Sequence, residues 1–134
     1  MSDNIEKVFV YGTLKVGGHF AKSFDKVRRS SVKATTGGKL ISVQGRFPGL
    51  LPGDGVVHGE IHEYDDIKGV IHAMDSIEGY HESHPKESLY RRELIEVETE
   101  SGDIEEAYAY FFNQSPDGMD EVESGVWEIG GNSK

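Results

Sequence analysis

Apolar and polar positions recur along this chain with two periods, and the change from one to the other predicts most of its elements. Val8, Phe9 and Val10 are apolar at successive positions, so the strand they predict is covered on both faces and lies inside a sheet. GKLISVQ (38–44) predicts a short strand. RFPGLLPGDG (46–55), with two prolines, predicts a turn-rich crossover. VVHGEIHEY (56–64) alternates, with Val57, Gly59 and Ile61 on one face and His58, Glu60 and His62 on the other. The period then changes. Ile67, Val70, Ile71, Met74 and Ile77 recur at helical spacing, which predicts a helix followed by Gly79 as its stop. LYRRELIEVETE (89–100) and DIEEAYAYFFN (103–113) predict two strands joined across Ser101-Gly102-Asp103, a hairpin signal. Residues 115–134 form an acidic, glycine-rich tail whose apolar anchors are Val126, Trp127 and Ile129. No repeat or linker interrupts the pattern, so residues 1–134 read as a single small α+β domain. Its strands are mostly antiparallel, and it has one good helix.

Composition narrows the classes of function. A chain of 134 residues is long enough to build a core without covalent staples. Without cysteine there is no disulfide framework, thiol nucleophile or thiolate metal site, which fits a reducing, cytoplasmic setting. No apolar run approaches the ~18 residues of a membrane span, and no leader pattern precedes Tyr11. A net charge of −10 argues against nucleic acid and anionic membrane as partners, since both demand a basic surface. Lys22, Lys26, Arg28, Arg29 and Lys33 do cluster, but only Phe24 among them offers a ring for base stacking. They read as a solvated helix-and-loop surface.

Candidate chemistry is sparse. HGEIH (58–62) superficially resembles a zinc-protease signature, which needs two histidines four apart on a helix with glutamate directly after the first. Here Gly59 intervenes and the stretch alternates like a strand, so no metal site is expected. HESH (81–84), beside Pro85, reads as solvated loop histidines. There is no Walker sequence, dinucleotide fingerprint or nucleophile elbow. Glu78 is the notable acid, because it follows a mostly apolar helical face. Burial there would raise its pKa into the range useful for proton transfer near neutrality. A surface glutamate at a helix end is the alternative, although the helix dipole disfavours an acid at that end. Gly12, where the first strand stops, permits a sharp turn whose consecutive N–H groups can form an anion-binding nest. A plain strand-ending turn is the alternative there.

The stretches VFVYGTLK, FPGLLPGDGVVHGEIHEY, MDSIEGY, LYRRELIEV and AYAYFF stand in the order found in the γ-glutamylcyclotransferase-like proteins. The chain resembles that superfamily, which includes the plant avirulence-induced proteins and the γ-glutamylamine cyclotransferases, from about Val8 to Phe112. The resemblance implies a small, mostly antiparallel β-barrel flanked by short helices. It implies that Tyr11, Gly12, Thr13 and Leu14 bind the γ-glutamyl group and that Glu78 carries the proton. It also assigns Tyr90, its partner Arg92, and Tyr110 to substrate binding. The chain departs from the shorter members at GYHESHPKESL (79–89), a longer loop between Glu78 and Tyr90 that bears on substrate identity.

The implied reaction needs neither metal nor cofactor. The substrate's own α-amine attacks its γ-carbonyl, closes 5-oxoproline and expels an amine. Well-oriented intramolecular attack can recover about 7–11 kcal/mol of barrier. Glu78 would act as base and then acid, and the Tyr11–Leu14 amides would hold either the α-carboxylate or the oxyanion. The rivals are a non-catalytic small-ligand-binding module on the same scaffold, a small-amide hydrolase, and an interaction protein that uses its acidic tail.

Overall fold

Why the chain closes on itself follows from how its strands pair. In a computed structural model, residues 6–11, 28–43, 47–64, 67–77, 80, 83, 85–122 and 124–126 are described. The elements run β1 (Lys7–Val10), β2 (Arg28–Val43), β3 (Phe47–Tyr64), α1 (Ile67–Ile77), a 3-10 turn (Pro85–Glu87), β4 (Tyr90–Thr99), β5 (Ile104–Phe112) and β6 (Asp120–Glu121). The sheet order is β3-β1-β5-β4-β2-β6, and β2 pairs back onto β3. That last pairing closes five strands into a barrel, and closure removes the exposed edges an open sheet would present. Neighbours are antiparallel except β1 and β5, which run parallel.

Alternation along the strands splits the core in two. β1 sends Val8 and Val10 to one cluster and Phe9 and Tyr11 to the other. β5 does the same with Tyr110 and Phe112 against Ala107, Ala109 and Phe111. The first cluster also holds Val70 and Met74 of α1, so it lies between the helix and the barrel wall. The second fills the barrel, where small residues make room for large ones. Gly59 is one of these: a Cβ there would stand 2.3 Å from the Val10 carbonyl oxygen and 2.8 Å from the Phe9 ring.

Four local expectations need correction. The strand at 38–44 is the far half of the much longer β2. The crossover at 46–55 is extended instead, because Pro48, Gly49, Leu50 and Leu51 pair in register with Ser42 to Lys39 as part of β3. Proline survives in such a ribbon where its missing N–H is not needed by the partner. Arg28, Arg29 and Lys33 lie on strand β2, and Arg29 bridges Glu6 (2.7 Å) and Glu63 (3.1 Å); Lys22 and Lys26 lie outside the described residues. His62, placed on the polar face, is fully buried because that face also carries Val8 and Tyr64 of the helix-side cluster.

The stretch from 115 contributes more than Val126; Trp127 and Ile129 lie outside the described residues. β6 pairs with Ile41 and Ser42 on one edge of the β2–β3 ribbon, and the Val122 N–H donates to the Leu40 carbonyl at 2.7 Å. On the opposite edge the His58 N–H donates to the Gly125 carbonyl at 2.8 Å. Val122 packs on the barrel-filling cluster between these anchors, so the segment crosses the ribbon's inner face like a strap.

Candidate functional site

α1 seats itself on the barrel through Val70 and Met74, one turn apart on the same face. Asp75 follows on the flank of that face and is largely buried. Its two carboxylate oxygens both accept from Nη1 of Arg92, and Oδ1 also accepts from the Tyr110 hydroxyl at 2.6 Å. Arg92 and Tyr110 can converge on one acid because they are register partners on β4 and β5. The Tyr80 and Tyr108 rings lie 5.3 and 5.8 Å from the guanidinium carbon. Burial works against the Arg92 charge, but the hydrogen bond and charge of Asp75, with Tyr110, outweigh it and hold the guanidinium above its ordinary value. The helix end is closed by the Tyr80 N–H, which donates to the Asp75 carbonyl at 2.8 Å. A bond that reaches back five residues is of the helix-terminating kind.

Tyr11 ends β1 with its ring inside the barrel. Its hydroxyl donates to the Tyr110 carbonyl at 2.5 Å and accepts from the Leu50 N–H at 3.2 Å. The Tyr90 hydroxyl donates to the Pro48 carbonyl at 2.5 Å, and its ring meets Phe112 edge-on at 5.8 Å. Two phenols therefore pin the start of β3, one from β1 and one from β4. Tyr110 is the hub. Its carbonyl holds the end of β1, and its hydroxyl holds the end of α1 through Asp75.

Of the expected site residues, the structure brings together Tyr11, Arg92 and Tyr110, with Tyr90 one step away through β3. Gly12, Thr13, Leu14 and Glu78 lie outside the described residues. Asp75 was not singled out from sequence. The available signal was an acid one helical turn before Glu78 in MDSIEG, together with an arginine in LYRRELIEV.

The long loop at 79–89 is tied down at its far end. Ser88 is buried, and its carbonyl accepts from Asn113 Nδ2 (3.0 Å) and Gln114 Nε2 (2.7 Å). The histidines of HGEIH part company. His62 shares Nδ1 with the Tyr64 hydroxyl (3.0 Å) and Nε2 with Glu60 (2.8 Å). His58 is exposed, on a groove of about 570 Å³ that Lys33, Glu98 and Glu100 also line. Among the described residues no three His, Cys, Asp or Glu side chains are grouped to hold a metal ion. No helix among them is long and apolar enough to cross a membrane.

Comparison with known proteins points the same way as the topology. The sequence model described as "Gamma-glutamyl cyclotransferase, AIG2-like" matches residues 8–129. The chain is 27% identical over 124 residues to the γ-glutamylcyclotransferase family protein YtfP of Escherichia coli K12, covering 90% of this chain and 95% of that one. It is 30% identical over 107 residues to the γ-L-glutamyl-butirosin B γ-glutamyl cyclotransferase of Niallia circulans, covering 80% and 67%. Among solved structures, an AIG2-like protein from Mus musculus superposes with a TM-score of 0.67 at 26% identity, covering 92% of this chain and 88% of that one.

Proposed function

This chain belongs to the γ-glutamyl cyclotransferase, AIG2-like family of enzymes, and from that premise we propose that it releases 5-oxoproline and a free amine from a γ-glutamyl amine or γ-glutamyl peptide. The observation that carries the reading is the hub at Tyr110. One residue ties the strand end that leads into Gly12-Thr13-Leu14 to the helix end that leads into Glu78. Tyr11 and Asp75, described residues that precede those two segments in sequence, thus share one anchor.

The substrate supplies its own nucleophile, so the protein's task is folding, charge and proton traffic. The Tyr11–Leu14 loop holds the γ-glutamyl group with backbone N–H donors, as befits a carboxylate or a developing oxyanion. Glu78 takes a proton from the α-ammonium. The free amine attacks the γ-carbonyl and closes the five-membered lactam. Collapse of the tetrahedral intermediate breaks the amide bond; Glu78 returns its proton to the departing amine, and that amine, the stronger base, also takes up the second proton that the lactam nitrogen sheds. Tyr90, Arg92 and Tyr110 shape the wall around the substrate, with most of their polar reach already committed to Pro48 and Asp75. The residue 79–89 loop, which separates Glu78 from Tyr90 in sequence, bears on which amine is released. We assign the protein to a soluble, cytoplasmic setting, in keeping with its lack of cysteine.

A panel of γ-glutamyl amines and γ-glutamyl dipeptides tests this, with products followed in ¹⁸O-labelled water. The expected result is unlabelled 5-oxoproline and free amine from at least one member. Glutamate carrying the label as first product would replace cyclotransfer by hydrolysis through an activated water.

A further inference from the structure

Asp75 stands in a place where a helix does not want an acid. It lies in the last turn of α1, where the unsatisfied carbonyls carry partial negative charge, and that turn contains no basic residue of its own. The compensation comes from outside the helix, from Arg92 on β4 and the Tyr110 hydroxyl on β5. An apolar residue packed against the barrel would hold a helix at least as firmly, since a largely buried ion pair gains little over well-packed hydrocarbon. What the ion pair adds is direction, because a guanidinium and a phenol aimed at one carboxylate fix its position as well as its burial. The guanidinium is itself flanked by the Tyr80 and Tyr108 rings. Tyr80 also returns its N–H to the Asp75 carbonyl, so the main chain on both sides of residue 78 is anchored at Asp75.

We propose that Asp75 is a positioning residue of the reaction: gripped by Arg92 and Tyr110, it fixes the last turn of α1 against the barrel and so sets where Glu78 stands. This rests on the reading of Glu78 as the proton carrier. Proton transfer works within hydrogen-bond reach, and a displacement of about 1 Å can cost about 100-fold in rate. Asp75 touches no substrate in this scheme. It acts through Glu78.

The test is a set of variants assayed by 5-oxoproline release: Asp75→Asn, Arg92→Lys, Glu78→Gln and the double variant of Asp75→Asn with Glu78→Gln. Asp75→Asn keeps size and an acceptor for Tyr110, so it should fold, which circular dichroism and a melting curve check. It should lower kcat about 10- to 100-fold with KM changed far less. Arg92→Lys keeps the charge but loses the flat guanidinium flanked by the Tyr80 and Tyr108 rings, and should repeat the kcat loss instead of rescuing it. In the Glu78→Gln background, Asp75→Asn should cause no further loss, because its client is already gone. A folded Asp75→Asn protein with wild-type kcat, beside an inactive Glu78→Gln, overturns the positioning role alone. So does a full multiplicative loss in the double variant, which would give Asp75 a separate task. Glu78→Gln at near wild-type rate overturns the reading of Glu78 and this proposal with it.

Discussion

Tyr110 makes two contacts that only a strand residue facing the helix could combine: its carbonyl serves Tyr11 in the barrel and its ring hydroxyl serves Asp75 under α1. At this scale the clearest expectation concerns the proton. Glu78→Gln preserves size and most hydrogen bonding but cannot accept and return a proton, so kcat should fall at least ~100-fold. Substrate should still bind, and calorimetry with a slow γ-glutamyl ligand would show it. Turnover near the wild-type rate would remove Glu78 from the mechanism. Gly12, Thr13, Leu14 and Glu78 lie outside the described residues, whereas Tyr11, Tyr90, Arg92 and Tyr110 were singled out through the motifs that carry the family resemblance. Asp75 was not, because its meaning lies in partners 17 and 35 residues away that only strand register brings together.

Elements were legible to the extent that they were local. The 67–77 helix announced itself by period, and the β4–β5 hairpin by a turn in which Gly102 takes a positive φ of 92°. The β2–β3 ribbon was misread between 46 and 55 because glycine and proline advertise turns, while the pairing that overrides them comes from a distant strand. The strap across that ribbon has its own glycine signature. Gly125 has φ of 71°, and a Cβ there would come within 2.1 Å of the Val56 carbonyl oxygen; Gly102 has open space around it. Both positions disfavour a side chain, but only one adds a collision. Gly102→Ala should therefore cost on the order of 1 kcal/mol, and Gly125→Ala clearly more, with lost amide protection at Val122 and His58. Equal melting temperatures for the two variants would mean that the strap yields without resistance.

For the whole molecule, the barrel is only as closed as its sparsest junction. Among the described residues β1 and β5 meet in parallel with a single register pair, Val8 with Tyr108, where β4 and β5 are paired along their length. An ion pair sits at that junction: Lys7 Nζ lies 2.8 Å from Glu105 Oε1. The hydrogen bond to Glu105 outweighs partial burial and, with the charges of Glu105 and Glu63, holds the Lys7 ammonium above its ordinary 10.5. A lysine whose pKa is raised by folding stabilises the fold fully below its unfolded value, and that contribution disappears as pH climbs through the raised folded value. Exposed pairs contribute little, so the effect should be a few degrees in Tm at most. The comparison that isolates it is wild type against Lys7→Met, because every other lysine and tyrosine titrates in both. The Tm gap should be present at pH about 8 and should shrink steadily beyond pH about 10.5 as the Lys7 ammonium loses its proton. Raising salt at pH about 8 should narrow it as well, since the pair is partly open to solvent. A gap that is the same at both pH values would mean that Lys7 contributes through its hydrocarbon stem. The closure of β1 onto β5 would then rest on packing of Val8 and Tyr108 and on the Tyr11 hydroxyl at the Tyr110 carbonyl.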